Sequence, residues 1–218
     1  MKLKFLGHAC FELISDDGIK MVFDPYESGS YDGALSYGPV EGDYDIAVIS
    51  HDHADHRDEE IISGIKNVVE SKGDFSFSGI KIKTFPTFHD KSEGSERGNN
   101  LISIVDTGRI RLAHLGDLGH IITVAEIPEL ENVDIMMIPV GGYFTIDAAE
   151  AHRIVEEFSP KIVIPMHFKT EKVDFPIEPV DKFLELENNV EKTGGSELDI
   201  QEKIFGDERR TVMLKPAL

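Results

Sequence analysis

Four side chains able to hold a transition metal fall within six positions of this chain: His51, His53, Asp55 and His56, in the stretch Ser50-His51-Asp52-His53-Ala54-Asp55-His56. Imidazole nitrogen and carboxylate oxygen together suit zinc, manganese or iron. On an extended strand end alternate residues share a side, so His51 and His53 can face one ion while Asp55 and His56 follow a turn onward. No rule of capping or core packing asks for three histidines and an aspartate at this interval, and the cluster reads as a metal site.

Other residues could complete such a site. His89 follows an apolar run at a loop entrance, Asp117 follows Gly116, and His167 follows the apolar run Ile162-Val163-Ile164-Pro165. Loops beyond rigid elements commonly present functional side chains from such positions. Arg97 and Asn100 offer guanidinium and amide donors suited to phosphate or carboxylate oxygens of a substrate. Tyr143 is a candidate proton donor or substrate contact, after Gly141-Gly142, whose glycines serve a turn or the close approach of substrate. His8 and His120 are candidate hydrogen-bonding partners near the metals, outside the ligand set. His152 shares helical spacing with Ala148, Ala149 and Arg153 and reads as a surface or interface residue. Cys10 is the only cysteine, which excludes an intramolecular disulfide, and the alternation Ala9-Cys10-Phe11-Glu12-Leu13 marks a buried structural thiol.

Short strands must carry these residues. Lys2 to Leu6, Cys10 to Ile14 and Ile19 to Phe23 read as a hairpin meander, stopped by Asp24-Pro25 and followed by a long loop from Tyr26 to Tyr44. Ile46-Ala47-Val48-Ile49 reads as a buried strand ending at the histidine cluster, with a short helix from Asp58 to Gly64 after it. Lys66 to Val69, Phe75 to Phe77 and Ile80 to Phe85 are expected strands before a polar loop from His89 to Asn100. Leu101 to Val105 pairs with Ile110 to Leu115 across Asp106-Thr107-Gly108, and Ile135 to Pro139 is a further strand. Thr145 or Asp147 caps a helix running to Phe158. A strand from Ile162 to Pro165, a helix from Pro179 to Glu187, a polar Gly-containing segment and a strand from Thr211 to Leu214 complete the pattern. Strands then helix, twice over, is the order of two sheets sandwiched between helices, in a single domain spanning residues 1–218.

Composition narrows the function. Forty-one acidic against 22 basic residues give a net charge of −19, which repels phosphate backbones and anionic membranes, so bulk nucleic-acid binding is not expected. A small anionic substrate stays admissible, because bound cations reverse the field inside a cleft. The chain has no apolar run long enough to span a membrane and no signal-peptide pattern at its start, so a cytoplasmic location is expected. Oligomeric state, a homo-oligomer included, is left open.

His51-Asp52-His53-Ala54-Asp55-His56 resembles the His-x-His-x-Asp-His signature of the metallo-β-lactamase superfamily. Phe23-Asp24-Pro25 resembles that family's first motif, Phe88-His89 its third, Gly116-Asp117 its fourth and Pro165-Met166-His167 its fifth, so the likeness runs from Phe5 through Lys169. His114 is the alternative third-motif histidine. Gly7-His8-Ala9-Cys10-Phe11, His114-Leu115-Gly116-Asp117-Leu118-Gly119 and Pro139-Val140-Gly141-Gly142-Tyr143-Phe144-Thr145 are similar to a narrower branch. That branch holds ascorbate-6-phosphate lactonase-like proteins and the phosphodiesterase that cleaves N-acylethanolamine phospholipids.

The resemblance implies an α/β fold, a four-layer αββα sandwich, and two divalent metal ions, zinc first, with manganese or iron as alternatives. His51, His53 and His89 would hold one ion, and Asp55, His56 and His167 the other. Asp117 would bridge them, since a carboxylate has two oxygens to share. Asp24 would orient a ligand histidine through its second ring N–H. The implied activity is hydrolysis of an ester-type bond, phosphodiester or lactone, in a small and anionic molecule, by hydroxide generated at the dinuclear centre, with Asp55 or Asp117 steering the proton. The rival reading is a non-catalytic, metal-stabilised binding or sensor module; a nuclease ranks below both.

Overall fold

Apolar side chains alternate along the first strands, and the alternation sorts them onto two faces. In β1 (Lys2–Gly7), β2 (Cys10–Ile14), β3 (Lys20–Phe23) and β4 (Ile46–Val48), residues such as Phe5, Phe11, Met21, Phe23 and Val48 enter the main core. Their neighbours Leu6, Cys10, Val22 and Ala47 enter a second cluster on the other face. Cys10 is fully buried there, as a structural thiol should be. The computed structural model describes residues 1–201, 205–206 and 208–218.

The first sheet runs β13 (Glu197–Asp199), β1, β2, β3, β4, β5 (Asn67–Val69). In the second, β12 (Val190–Lys192), β14 (Arg210–Met213), β11 (Ile162–Met166) and β10 (Ile135–Pro139) are followed by β9 (Arg111–His114), β8 (Asn99–Asp106), β7 (Ile80–Phe88) and β6 (Gly73–Phe77). The core lies between the sheets, where Phe5, Phe11 and Phe23 join the same cluster as Ile104, Leu112 and Met137. Helix α2 (Ala148–Phe158) adds Ala151, Ile154, Val155 and Phe158 to it.

This is the expected α/β sandwich with thin helical layers. α1 (Glu59–Ile62) and α3 (Asp181–Leu184) are single turns, α3 far shorter than the expected helix from Pro179 to Glu187. Most of the outer cover of the first sheet comes from the stretch 26–44, whose Tyr26, Leu35, Tyr37 and Val40 pack on Val22 and Ala47. Glycines and Pro39 keep that stretch from coiling into a helix while its aromatics still exclude water. The polar segment expected before the last strand lies partly outside the described residues; its described part contributes the three-residue strands β12 and β13.

Strand direction places the site. β2 is antiparallel to both β1 and β3, and β4 is parallel to β3, so β1, β3 and β4 point the same way. In the second sheet β7 and β9 both oppose β8, and β9, β10 and β11 are parallel. His8, Asp24, Ser50, His89, Asp117 and His167 therefore all lie just beyond carboxyl ends, the usual place for a site where strands run parallel.

Asp147 caps α2: its carboxylate accepts from Glu150 N at 2.9 Å while Glu150 Oε2 accepts from Asp147 N at 3.2 Å. Asp147→Ala is expected to cost about 1 kcal/mol of stability in a urea melt and to leave metal content unchanged. Among the described residues no helix is long and apolar enough to cross a membrane.

Candidate metal centre

Asp117 is buried at the middle of five histidines and a second aspartate. Its Oδ2 lies 3.1 Å from His89 Nε2, 3.2 Å from His167 Nε2 and 4.0 Å from His51 Nε2, and its Oδ1 lies 3.1 Å from His56 Nε2. His51 Nε2 and His53 Nδ1 are 2.9 Å apart, and Asp55 Oδ2 is 3.7 Å from His56 Nε2. Donors bonded to one tetrahedral cation at about 2.0–2.2 Å stand about 3.3–3.6 Å from one another, so the spacings fit shared cations. His51, His53 and His89 form one compact donor group, and Asp55, His56 and His167, joined by His8, form another.

A second observation favours metal over an ordinary polar network. His56 Nε2, His167 Nε2 and Asp117 Oδ1 are buried, and although the two nitrogens stand 3.1 and 3.2 Å from Asp117 oxygens, none of the three atoms makes an aligned hydrogen bond among the described residues. Such atoms cost about 1–3 kcal/mol each when left unmatched, and a cation between them removes the cost. Burial alone would raise the Asp117 carboxyl, yet His167, His56 and His89 hold it well below the usual carboxylate range. Burial pushes the His51 ring down to about 3, with His56 adding to the effect, so its lone pair stays free at neutral pH.

Asp24, at the end of β3, sets which nitrogen faces the centre. It accepts from Ser50 N at 2.7 Å, Ser50 Oγ at 2.6 Å and the His56 Nδ1–H at 2.8 Å. Because the Ser50 hydroxyl gives its proton to Asp24, it accepts from the His51 Nδ1–H at 2.9 Å. One carboxylate thus orients two rings with Nε2 toward the centre, where one had been expected. Burial would raise Asp24, and the His114, His56 and His51 rings lower it below its ordinary value instead. His114 is not brought to the centre: it shares an Nε2···O bond of 2.8 Å with Ala9, accepts from Gly116 N at Nδ1, and stacks on Phe23.

Three expected contacts are corrected. Asn100 is fully buried, its amide donating to Thr87 Oγ1 and Leu115 O while its Oδ1 accepts from Asp117 N at 2.9 Å. It is spent on holding Asp117 and has nothing left for substrate. Tyr143 is 65% exposed and turned away into a separate hollow, and its neighbour Phe144 faces the cleft instead. His120 accepts from Phe88 N at 3.3 Å and bonds Ile121 O through Nδ1, which ties the ring to the strand before His89 and away from the donor groups. His8 does lie at the centre, its Nε2 3.1 Å from Asp55 Oδ2. His152 is on the surface, bonded to Glu187 at 2.7 Å.

Two residues with site contacts were absent from the sequence reading. Tyr31, on the stretch 26–44, donates its hydroxyl to Asp55 Oδ1 at 3.0 Å, and no local pattern announces this. Asp90 accepts four backbone N–H bonds, from Ser92, Gly94, Glu96 and Arg97, and so shapes the loop after His89. Its signal was readable, as an aspartate opening a Gly-bearing loop. Gly119 sits against that same turn: a Cβ there would stand 2.3 Å from His89 C and Asp90 N. Gly119→Ala is expected to displace His89 and weaken metal binding at least about tenfold in a chelator competition.

The donor groups open into a cleft of about 390 Å³ with His53, Asp55, His89, Asp117 and His167 at its floor. Tyr31, Phe144 and Phe175 form one wall, and Glu96 and Arg97 the rim. Arg97, a candidate substrate contact, is thus brought to the edge of the cleft.

Known proteins are similar to this chain. Residues 2–167 match the family model described as the beta-lactamase superfamily domain. A UPF0173 metal-dependent hydrolase of Carboxydothermus hydrogenoformans is 30% identical over 196 residues, 78% of this chain and 85% of that protein. Another, from Natranaerobius thermophilus, is 31% identical over 205 residues, 83% of this chain and 87% of its own length. A crystal structure of a metallo-β-lactamase superfamily protein from Thermotoga maritima superposes with a TM-score of 0.78 at 32% identity, covering 98% of this chain and 97% of that one. The chain belongs to the beta-lactamase superfamily, as one of its metal-dependent hydrolases.

Proposed function

We propose that this hydrolase works with two divalent cations, zinc foremost, on an ester-type bond of a small anionic molecule, a phosphodiester or a lactone. The observation that carries the reading is Asp117, whose two oxygens each lie 3.1 Å from a histidine of a different donor group. In this reading His51, His53 and His89 would hold one cation and Asp55, His56 and His167 the second, with Asp117 contributing to both. Two such cations, when bound, bring the pKa of a water toward neutrality and polarise the carbonyl or phosphoryl oxygen.

The chain's own residues supply the rest. Asp24 and Ser50 keep the His51 and His56 lone pairs aimed inward, and Asn100 fixes the Asp117 backbone. Asp55 or Asp117 takes the proton of the attacking water; from Asp55 Oδ2 it has a neighbour in His8 Nε2 at 3.1 Å. The cleft over the floor gives substrate a way in, which favours an enzyme over a closed metal sensor. The single buried thiol and the acidic surface fit a place in the cytoplasm and speak against bulk nucleic-acid binding, and residues 1–218 are taken to act as one domain.

The test is metal analysis of the purified protein joined to a panel of lactones, phosphodiesters, thioesters and β-lactams, each with a chelated control. Close to two metal ions per chain and a phosphodiester or lactone turnover abolished by chelation are expected. Activity that survives full metal removal would remove the reading.

A further inference from the structure

The cleft's floor accounts for bond cleavage, and its wall is built of something else. Tyr31 and Phe175 meet edge to face with ring centroids 5.5 Å apart, and Phe175 and Phe144 do the same at 5.8 Å. The three rings come from three distant parts of the chain, the stretch after β3, the loop after β10 and the loop after β11, so they form a contiguous aromatic wall only in the folded protein. Tyr31 is also anchored at the floor through its bond to Asp55. This wall begins where the donor groups end.

The rim is organised as firmly. The Arg97 guanidinium lies over the Phe144 ring, 5.6 Å from its centroid, and the Arg97 backbone N–H is one of the four that converge on Asp90. Its nearest acid, Glu96, stands 3.6 Å away, beyond a normal hydrogen bond. A guanidinium held by a cation–π contact of this kind still has donors to offer an oxyanion. A cleft of about 390 Å³ lies within the range of small-molecule sites.

We infer that the substrate is a compact anionic ester carrying a flat apolar group, with that group seated against Tyr31, Phe144 and Phe175 and the anionic end paired with Arg97. The inference rests on the hydrolase reading above for the bond that is cleaved, and adds what is attached to it. Flat apolar groups gain from edge-to-face and offset contact with such rings beyond simple burial. Arg97 and Phe175 are thereby specificity-determining residues, with no part in holding metal.

Binding of methylphosphonate and phenylphosphonate to the zinc-loaded protein, measured by titration calorimetry, tests this without turnover. Phenylphosphonate is expected to bind at least about tenfold tighter than methylphosphonate. Phe175→Ala is expected to bring that ratio to within about twofold, and the ratio normalises itself against any partial loss of folded protein. Arg97→Gln is expected to weaken both ligands about tenfold and leave the ratio intact, with zinc content unchanged in each variant. Equal binding of the two phosphonates, no binding of either, or a ratio untouched by Phe175→Ala would overturn the aromatic seat; unchanged affinities in Arg97→Gln would overturn the anion contact. A phenyl preference in a protein that hydrolyses no ester would sink the proposed ester-type bond and leave the seat standing, whereas ester hydrolysis without the preference would sink the seat alone.

Discussion

Asp117→Ala is expected to lower kcat/KM about a thousandfold or more on any ester the wild-type protein turns over, and to cut bound zinc to one ion per chain or fewer. The carboxylate meets His56 through one oxygen and His89 and His167 through the other, so its removal takes a donor from both groups at once. Metal-centred charge stabilisation of about 4 kcal/mol corresponds to three decades of rate. Because Asp117 is buried among rings that its charge stabilises, the variant must be checked by circular dichroism and by Asp117→Asn, which keeps the volume. Wild-type zinc content and activity in both variants would remove Asp117 from the centre.

Asp24→Asn comes second in size. Asp24 belongs to neither donor group, yet it receives the Nδ1–H of His56 and, through Ser50, that of His51. An amide in its place presents its own N–H to one of these partners and disturbs the tautomer of a ring in each donor group. Loss of a single such partner typically weakens metal binding 10–100-fold. With two rings affected, the upper end of that range is expected for zinc in a competition with a chromophoric chelator, together with a fall in activity that excess zinc partly restores. An effect confined to stability, with zinc affinity unchanged, would show that Asp24 serves packing alone.

The part of the site visible in the sequence was the part encoded by local spacing. His51, His53, Asp55 and His56 lie close in the chain, and the strand ends before His89, Asp117 and His167 could be recognised from apolar runs. Asp24 was legible through Asp24-Pro25, but its reach through Ser50 depends on β3 and β4 lying parallel in register. Asn100 and Tyr143 were misassigned because side-chain direction at a sheet edge is set by tertiary packing: Asn100 points in toward the loop that carries Asp117, and Tyr143 points out. β12 and β13 are three residues each, too short for any period to declare itself, and they pair because neighbouring edges are available. The thin helical cover followed the same logic, since the stretch 26–44 does a helix's work with aromatics that carry no helical spacing.

The donor groups draw on both sheets, with His51, His53, Asp55 and His56 following a strand of one and His89, Asp117 and His167 following strands of the other. No sub-assembly of the chain can hold a cation as the native protein does, so the centre forms only when the two sheets have docked. Metal capture in the native geometry is therefore linked to the docking of the two sheets. A ligand at a hundred times its dissociation constant, bound only by the native state, adds about 2.7 kcal/mol to stability. Cations bound there would act as a clasp between the sheets: stripping them should hasten global unfolding, and native-state hydrogen exchange should report that loss at β4 and β11 together.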